Sequence, residues 1–235
     1  MSSIPSKPVS DIGRPELTRL PRLHPARRLF RRAAHRLARL VLSLLTRTTF
    51  SGLEQLPPRG PALLAVNHLG DADAALLLAA FYIAPDVLGK FELYDFPILG
   101  KLMDWYGVIW LHRGQPDRRA LRCALQALAV GRRVLIAPEG RYTLANGLEP
   151  GGNGAAWLAM QARVPVFPVA LTGTGNTDAY GSLRHFHRPR LSLTVGEPVL
   201  LRSQRNDKHS LEGDTRRIMQ ALAALLPPEY RGAYQ

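Results

Sequence analysis

The stretch Ala62-Leu63-Leu64-Ala65-Val66-Asn67-His68-Leu69-Gly70-Asp71-Ala72-Asp73 decides the fold. Its first five residues are all apolar, which predicts a strand that is buried on both faces. An imidazole and two carboxylates follow directly, and a helical pattern begins at Ala72. Histidine takes up and returns a proton near neutral pH, and a carboxylate five positions later can hold the ring in one tautomer. His68 and Asp73 are therefore the candidate catalytic pair, without a protein nucleophile.

Strands and helices alternate along the rest of the body. Apolar runs and helical periodicity predict strands over 62–66, 87–88, 108–111, 134–137, 164–171 and 191–195, and helices over 72–82, 96–105, 117–130, 154–162 and 211–226. This alternation predicts an α/β fold in which helices flank a central, mostly parallel sheet.

Polar clusters follow three of these strands: Asn67-His68, His112-Arg113 and Pro138-Glu139-Gly140-Arg141. If the strands are parallel, all three clusters leave the same edge of the sheet, where open α/β sheets bind their ligands. We therefore expect the three segments to converge on one site.

Each cluster contributes a candidate ligand. Arg113 and Arg141 are candidate anion binders, because a guanidinium matches phosphate oxygens in a two-pronged geometry. Gly140 can let the backbone approach a ligand closely, and Glu139 can bind substrate hydroxyls or hold a neighbouring arginine. Alternatively, Arg113 and Arg141 are ordinary surface charges and Glu139 is a turn carboxylate. At the first cluster, the alternative is a structural histidine beside two helix-capping carboxylates, Asp71 and Asp73.

Length and composition indicate one sizeable domain of 235 residues with a basic appendage. Residues 1–50 hold eleven Lys and Arg against Asp11 and Glu16, so they carry nine of the thirteen net positive charges. We predict a mobile basic segment over 1–25, an amphipathic helix within 26–50, and the catalytic domain over 51–235.

The predicted N-terminal helix has a leucine-rich stripe beside a basic face. Six arginines fall within residues 27–39, more than solubility requires, and the apolar stretch is too short and interrupted to span a bilayer. This pattern favours a helix lying in the headgroup region of an anionic membrane, and the alternative is a helix packed on the domain with a solvated basic face. Aromatic–basic interleaving and zinc-finger spacing are missing, so nucleic acid is not expected as a partner.

Other familiar sites are missing from the sequence. We find neither a G-x-S-x-G nucleophile elbow nor a phosphate-binding loop nor a dinucleotide fingerprint. The single cysteine, Cys123, lies among apolar residues of a predicted helix and is expected to be a packed thiol, which fits a reducing cytosolic compartment. His185 and His187 alone are a weak metal signal, so no metal site is predicted.

Four segments together resemble the PlsC-type glycerolipid acyltransferases. Asn67, His68 and Asp73 match the family's N-H-x-x-x-x-D motif. The segments 107–113 (GVIWLHR), 137–143 (APEGRYT) and 164–169 (VPVFPV) are similar to its second, third and fourth motifs, in the same order and at similar spacing. The chain departs from the family pattern at His112, where an acidic residue is usual, at Arg141-Tyr142, where Thr-Arg is usual, and near Asn153, where a basic residue is frequent.

The resemblance implies an acyltransferase at the cytoplasmic face of a membrane, bound peripherally or as a monotopic protein. Asp73 would orient His68, which would deprotonate a hydroxyl of a lysophosphatidic acid-like acceptor for attack on acyl-CoA or acyl carrier protein. Asn67, Arg113, Glu139, Gly140 and Arg141 would bind substrate, and no cofactor beyond the acyl thioester is implied. Three alternatives stay open: a non-phosphatidate lysolipid as acceptor, a catalytically silent protein that binds anionic membranes, and a metal-dependent hydrolase using His68, Asp71 and Asp73.

Overall fold

A computed structural model describes residues 15–112, 117–141, 143, 147–201 and 208–235. Within these ranges the chain forms seven strands, β1 to β7: Arg47–Ser51, Ala62–Val66, Asp86–Lys90, Ile109–Leu111, Arg133–Ile136, Val166–Thr172 and Arg190–Val195. The α-helices of the same ranges, α1 to α7, are Pro25–Leu45, Ala72–Ala80, Leu99–Tyr106, Arg118–Ala129, Gly154–Ala162, Asn176–Arg184 and Lys208–Ala224.

The strands form one twisted sheet in the order β1-β7-β6-β2-β5-β3-β4. Every neighbouring pair is parallel except β6 and β7, which are antiparallel. The prediction of a central, mostly parallel α/β sheet is therefore confirmed. β2, β5, β3 and β4 all point in one direction, so the loops after them leave the same edge of the sheet.

β2 lies at the centre because both of its faces are apolar and all five of its residues are buried. Leu64 and Val66 pack against the layer that contains α1 and α2. Leu63 and Ala65 face the opposite layer, formed by α4, α5 and α7. Alternate side chains of a strand point to opposite faces, so one uninterrupted apolar run supplies both cores.

The structure contains two elements that the pattern did not predict, β1 and α6. β1 is an edge strand with the sequence Arg-Thr-Thr-Phe-Ser, and only alternate residues are half-buried. Such a short, polar strand carries little periodic signal, and its pairing with β7 depends on residues more than 140 positions away. β1 also crosses the predicted boundary at residue 50, since residues 47–51 belong to the sheet.

α1 contacts the body through a face that is not its leucine stripe. Its buried residues are Arg31, His35, Ala38 and Leu42. Arg31 Nη2 lies 2.7 Å from Asp86 Oδ1 in a buried ion pair, and Arg31 Nε donates to the Tyr106 carbonyl at 2.7 Å. Further towards the N-terminus, Leu17 and Pro21 are also buried, although the sequence predicted a mobile segment there.

Candidate active site

His68 and Asp73 form a close pair at the C-terminal end of β2. His68 Nδ1 lies 2.6 Å from Asp73 Oδ2. The Asp73 side chain is only 1% exposed, whereas that of His68 is 26% exposed. A buried carboxylate therefore supports an imidazole that solvent can reach, which is the arrangement that base catalysis requires.

The turn between β2 and α2 brings the two side chains together. Asp73 lies in the first turn of α2, and its Oδ2 also accepts hydrogen bonds from the backbone N–H groups of Leu69 (2.8 Å) and Gly70 (3.2 Å). Asp71 stands at the N-cap position as predicted, but its side chain makes no capping hydrogen bond. Asp73 instead binds the two N–H groups that precede the helix, so one carboxylate both closes the turn and orients the ring.

Asn67 is buried behind this turn. Its Nδ2 donates to the Leu171 carbonyl at 2.9 Å, and its Oδ1 accepts from the Leu171 N–H at 2.7 Å. The amide thus continues the pairing of β2 with β6 by one residue beyond the strand. Both polar atoms of the Asn67 amide are therefore engaged with the Leu171 backbone, and the role in substrate binding that the resemblance implies for Asn67 stays a prediction.

The loop after β5 holds the backbone of His68. Glu139 Oε1 accepts from the His68 N–H at 3.3 Å, and the Thr143 N–H donates to the His68 carbonyl at 2.8 Å. Glu139 Oε2 accepts from Thr143 Oγ1 and from the Glu149 N–H, both at 3.0 Å. Burial raises the pKa of Glu139, and these hydrogen bonds oppose that shift.

The turn that carries Glu139 needs glycine at its next position. Gly140 has φ of 70°, a left-handed conformation that side-chain-bearing residues rarely adopt, and its N–H donates to the Ala137 carbonyl. Arg141 follows on the outer side, where its side chain is 58% exposed and Nε donates to Glu149 Oε2 at 2.8 Å. Its guanidinium is therefore paired with Glu149 and not with Glu139.

The cluster that follows β4 leaves the same edge at a greater distance. β4 is separated from β2 by β5 and β3, which corresponds to about 14 Å at the usual strand spacing. His112 stacks on Phe91 with ring centroids 4.5 Å apart, and its Nδ1 lies 3.5 Å from Asp117 Oδ2. Arg113 lies outside the described residues. The structure therefore joins the first and third motifs directly and puts His112 at the margin.

Two supporting residues were not singled out from the sequence, Thr143 and Asn176. Asn176, at the start of α6, accepts from the Asp71 N–H through Oδ1 at 2.9 Å. Thr143 could have been found from the sequence, because it belongs to the third motif. Asn176 could not, because only the pairing of β2 with β6 brings it close to Asp71.

Within the described ranges no three His, Cys, Asp or Glu side chains are grouped so that they could hold a metal ion. Cys123 is buried on α4, and burial raises the pKa of its thiol, which agrees with a packed role. The same part of the chain contains no helix with the length and hydropathy needed to cross a bilayer.

Comparison with known proteins gives the family. Residues 47–172, more than half of the chain, match the family model described as acyltransferase. The chain belongs to the acyltransferase family. The matched region contains the His68–Asp73 pair and ends where β6 ends. The predicted resemblance to PlsC-type glycerolipid acyltransferases is confirmed at the level of the family.

Two relatives illustrate the range of names within it. The chloroplastic 1-acyl-sn-glycerol-3-phosphate acyltransferase BAT2 of Brassica napus is 30% identical over 187 residues, which cover 75% of this chain and 54% of the relative. The lyso-ornithine lipid O-acyltransferase of Pseudomonas aeruginosa is 35% identical over 138 residues, which cover 58% and 51%. The chain thus spans about half the length of these relatives.

The fold is similar to a crystal structure of the 1-acyl-sn-glycerophosphate acyltransferase PlsC from Thermotoga maritima. The TM-score is 0.67 at 19% identity, and the match covers 85% of this chain and 79% of that chain. At this identity the likeness establishes the fold alone.

Proposed function

We propose that this protein transfers an acyl group from an acyl thioester, acyl-CoA or acyl carrier protein, to a hydroxyl of a lysophospholipid. The observation that carries the proposal is the 2.6 Å contact between His68 Nδ1 and a buried carboxylate. Because Nδ1 faces Asp73, the proton resides on Nδ1, and Nε2 is the nitrogen that accepts the substrate proton.

The reaction then needs no protein nucleophile. His68 Nε2 removes the hydroxyl proton as the hydroxyl oxygen attacks the thioester carbonyl, and Asp73 stabilises the imidazolium that forms. The tetrahedral oxyanion collapses, the C–S bond breaks, and the imidazolium returns the proton to the leaving thiolate. General base catalysis of this kind contributes roughly a hundred- to ten-thousand-fold in rate.

The test is the His68→Ala variant, with acyl products measured by lipid mass analysis. We expect transfer to fall by at least about a hundredfold while acyl-donor binding survives. His209→Ala, an exposed histidine on α7, is the matched control. Turnover like that of the wild type in His68→Ala would refute the mechanism.

The acceptor has two candidates. A lysophosphatidic acid-like acceptor follows from the names of most relatives. A non-phosphatidate lysolipid is favoured by the pairing of Arg141 with Glu149, which occupies one predicted phosphate ligand, and by the similarity to a lyso-ornithine lipid O-acyltransferase. Competition between lysophosphatidic acid and lyso-ornithine lipid in one reaction, read by product mass, decides between them.

The leucine stripe of α1 supports a membrane-bound location. Leu29, Leu37, Leu40 and Leu44 are 65%, 61%, 57% and 65% exposed, because another face of the helix packs on the body. Four leucines that face outward beside a row of arginines fit the surface of an anionic membrane, with the leucines among the acyl chains. We propose that α1 holds the protein at the cytoplasmic face of the membrane.

The neighbouring helix α3 and its N-cap residue, Ile98, extend this apolar surface. Ile98, Leu102 and Trp105 are all about half or more exposed, and the Trp105 ring lies 6.2 Å from Phe30 of α1. Tryptophan is enriched at membrane interfaces because it has an apolar body and a polar N–H.

Substitution of the stripe tests the location without removing the helix. Full burial of one leucine side chain in an apolar environment is favourable by about 1.5–3 kcal/mol. The triple variant Leu37→Ser/Leu40→Ser/Leu44→Ser should therefore bind phosphatidylglycerol vesicles well over tenfold more weakly, as measured by sedimentation. Leu200→Ser, which changes another exposed leucine, is the control. Retained vesicle binding in the triple variant would exclude insertion of this face. Acyl transfer by this protein to lysolipid dispersed in detergent would exclude a role limited to membrane binding.

A further inference from the structure

A basic cavity lies where the C-terminal end of α1 meets β1 and β7. Its volume is about 600 Å³, and its walls carry Arg39, Arg47, Arg188 and Arg190. The described residues that line it include these four arginines and no carboxylate, so the lining carries positive charge without a negative side chain.

Two of these arginines are held side by side by the sheet. Arg47 and Arg190 are register partners on the parallel strands β1 and β7. Like charges on directly adjacent strand positions are destabilising. Among the ion pairs of the described residues, neither arginine has a carboxylate partner. The fold therefore keeps a local repulsion that a bound anion would relieve.

The other two arginines are fixed to the cavity wall. Arg188 donates through Nε to the Thr46 carbonyl at 3.1 Å and through Nη2 to the Ser43 carbonyl at 2.6 Å, so it closes the C-terminus of α1. The Arg39 guanidinium lies 5.5 Å from the centre of the Phe50 ring. Both groups are thus positioned before any ligand arrives, which lowers the entropic cost of binding.

The cavity also contains hydroxyl groups. Thr172 Oγ1 and Ser192 Oγ share a hydrogen bond of 2.6 Å across β6 and β7 at the cavity wall. Arginine and hydroxyl side chains together match the oxygens of a phosphate, and guanidinium binds them in pairs.

We propose that this cavity binds the phosphate group of an anion at a site separate from the His68–Asp73 centre. β7 and β1 are the second and third strands from β2, about 10–14 Å away within the sheet. α1 forms one wall and exposes its leucine stripe next to its basic face, so an anionic phospholipid headgroup is one source of the phosphate. A soluble phosphate is the other source, and the two are distinguished by experiment.

The test uses the full chain with His68→Ala, so that turnover cannot change the lipids. Arg47→Gln/Arg190→Gln removes two cavity charges, and Arg122→Gln/Arg216→Gln removes two exposed charges on α4 and α7 as a charge-matched control. One arm measures flotation with phosphatidylcholine vesicles that contain phosphatidylglycerol, and the other measures calorimetric titration with inorganic phosphate.

We expect the cavity variant to lose at least tenfold in affinity in one or both arms, and the control to lose less than threefold. A loss confined to vesicles assigns a lipid headgroup, and a loss with inorganic phosphate assigns a soluble anion. Equal binding by the two variants in both arms overturns the site.

A thermal measurement checks the same proposal independently. Phosphate should raise the melting temperature of the protein but not that of the cavity variant, because a ligand stabilises only the state that binds it. In phosphate-free buffer the cavity variant should melt no lower than the parent protein, since two adjacent like charges are gone. An equal rise with phosphate in both proteins also overturns the site.

Discussion

Replacement of Asp73 by Asn isolates the charge of the candidate catalytic carboxylate. Oδ2 accepts three hydrogen bonds, from His68 Nδ1 and from the N–H groups of Leu69 and Gly70. An amide NH₂ cannot take that place, because it would face two backbone donors. The Asn oxygen must therefore occupy the Oδ2 position, and His68 keeps its tautomer while the negative charge disappears.

The expected loss follows from the electrostatic interaction with the imidazolium. Two unit charges about 4 Å apart attract by roughly 4 kcal/mol at an effective dielectric constant of about 20. Each 1.36 kcal/mol of barrier corresponds to a factor of ten in rate. Asp73→Asn should therefore reduce kcat by about a thousandfold with little change in acyl-donor binding.

The variant also carries a structural cost. Asp73 Oδ1 is buried, and none of the described residues donates a hydrogen bond to it. The new NH₂ group would occupy this position without an acceptor, which costs about 1–3 kcal/mol of unfolding free energy. Urea unfolding measures this cost separately from kcat.

The assay is steady-state transfer at saturating donor and lysolipid, with Asp71→Asn as the control. Asp71 lies in the same turn but is exposed, so we expect its variant to retain activity, and a large loss there would instead favour the hydrolase alternative. In His68→Ala/Asp73→Asn we expect no further loss beyond His68→Ala, since both residues act as one unit. A kcat for Asp73→Asn within tenfold of the wild type would refute the charge argument.

Three other substitutions probe the parts of the structure around this pair. Arg31→Met leaves the fully buried Asp86 with one weaker partner, so the unfolding free energy should fall by about 3–5 kcal/mol in urea, against little change for the exposed Arg32→Met. Burial raises the pKa of Glu139 above its usual value of 4.5. The stability of the wild type relative to Glu139→Gln should therefore be greatest below pH 4.5 and should decline as the pH rises through the raised pKa. A difference in urea midpoints that does not change with pH would contradict this prediction. A Cβ on Gly70 would lie 2.7 Å from a backbone oxygen, so Gly70→Ala should displace the turn that joins His68 to Asp73 and lower kcat by roughly a hundredfold. Unchanged kinetics would show that the turn tolerates the shift.

The local part of this protein could be predicted from its residues. The apolar run of β2 coincides with the strand, and α5 has the predicted bounds, because strand and helix periodicity depend on near neighbours. The His68–Asp73 contact could also be inferred, since five residues in a strand-to-helix turn can bring the two side chains together. The helix α6 could not be predicted, because its nine residues, Asn-Thr-Asp-Ala-Tyr-Gly-Ser-Leu-Arg, are mostly polar.

By itself, then, the sequence determined the α/β alternation, the buried central strand and the two catalytic candidates. Tertiary structure decided which residues support them: Asn67 is paired with β6 and the His68 backbone is held by Glu139, 71 residues away. It also decided that α1 turns its leucines outward, because the buried Arg31–Asp86 pair docks a different face. Periodicity states that a helix has an apolar face, but the direction of that face depends on contacts between residues distant in the chain.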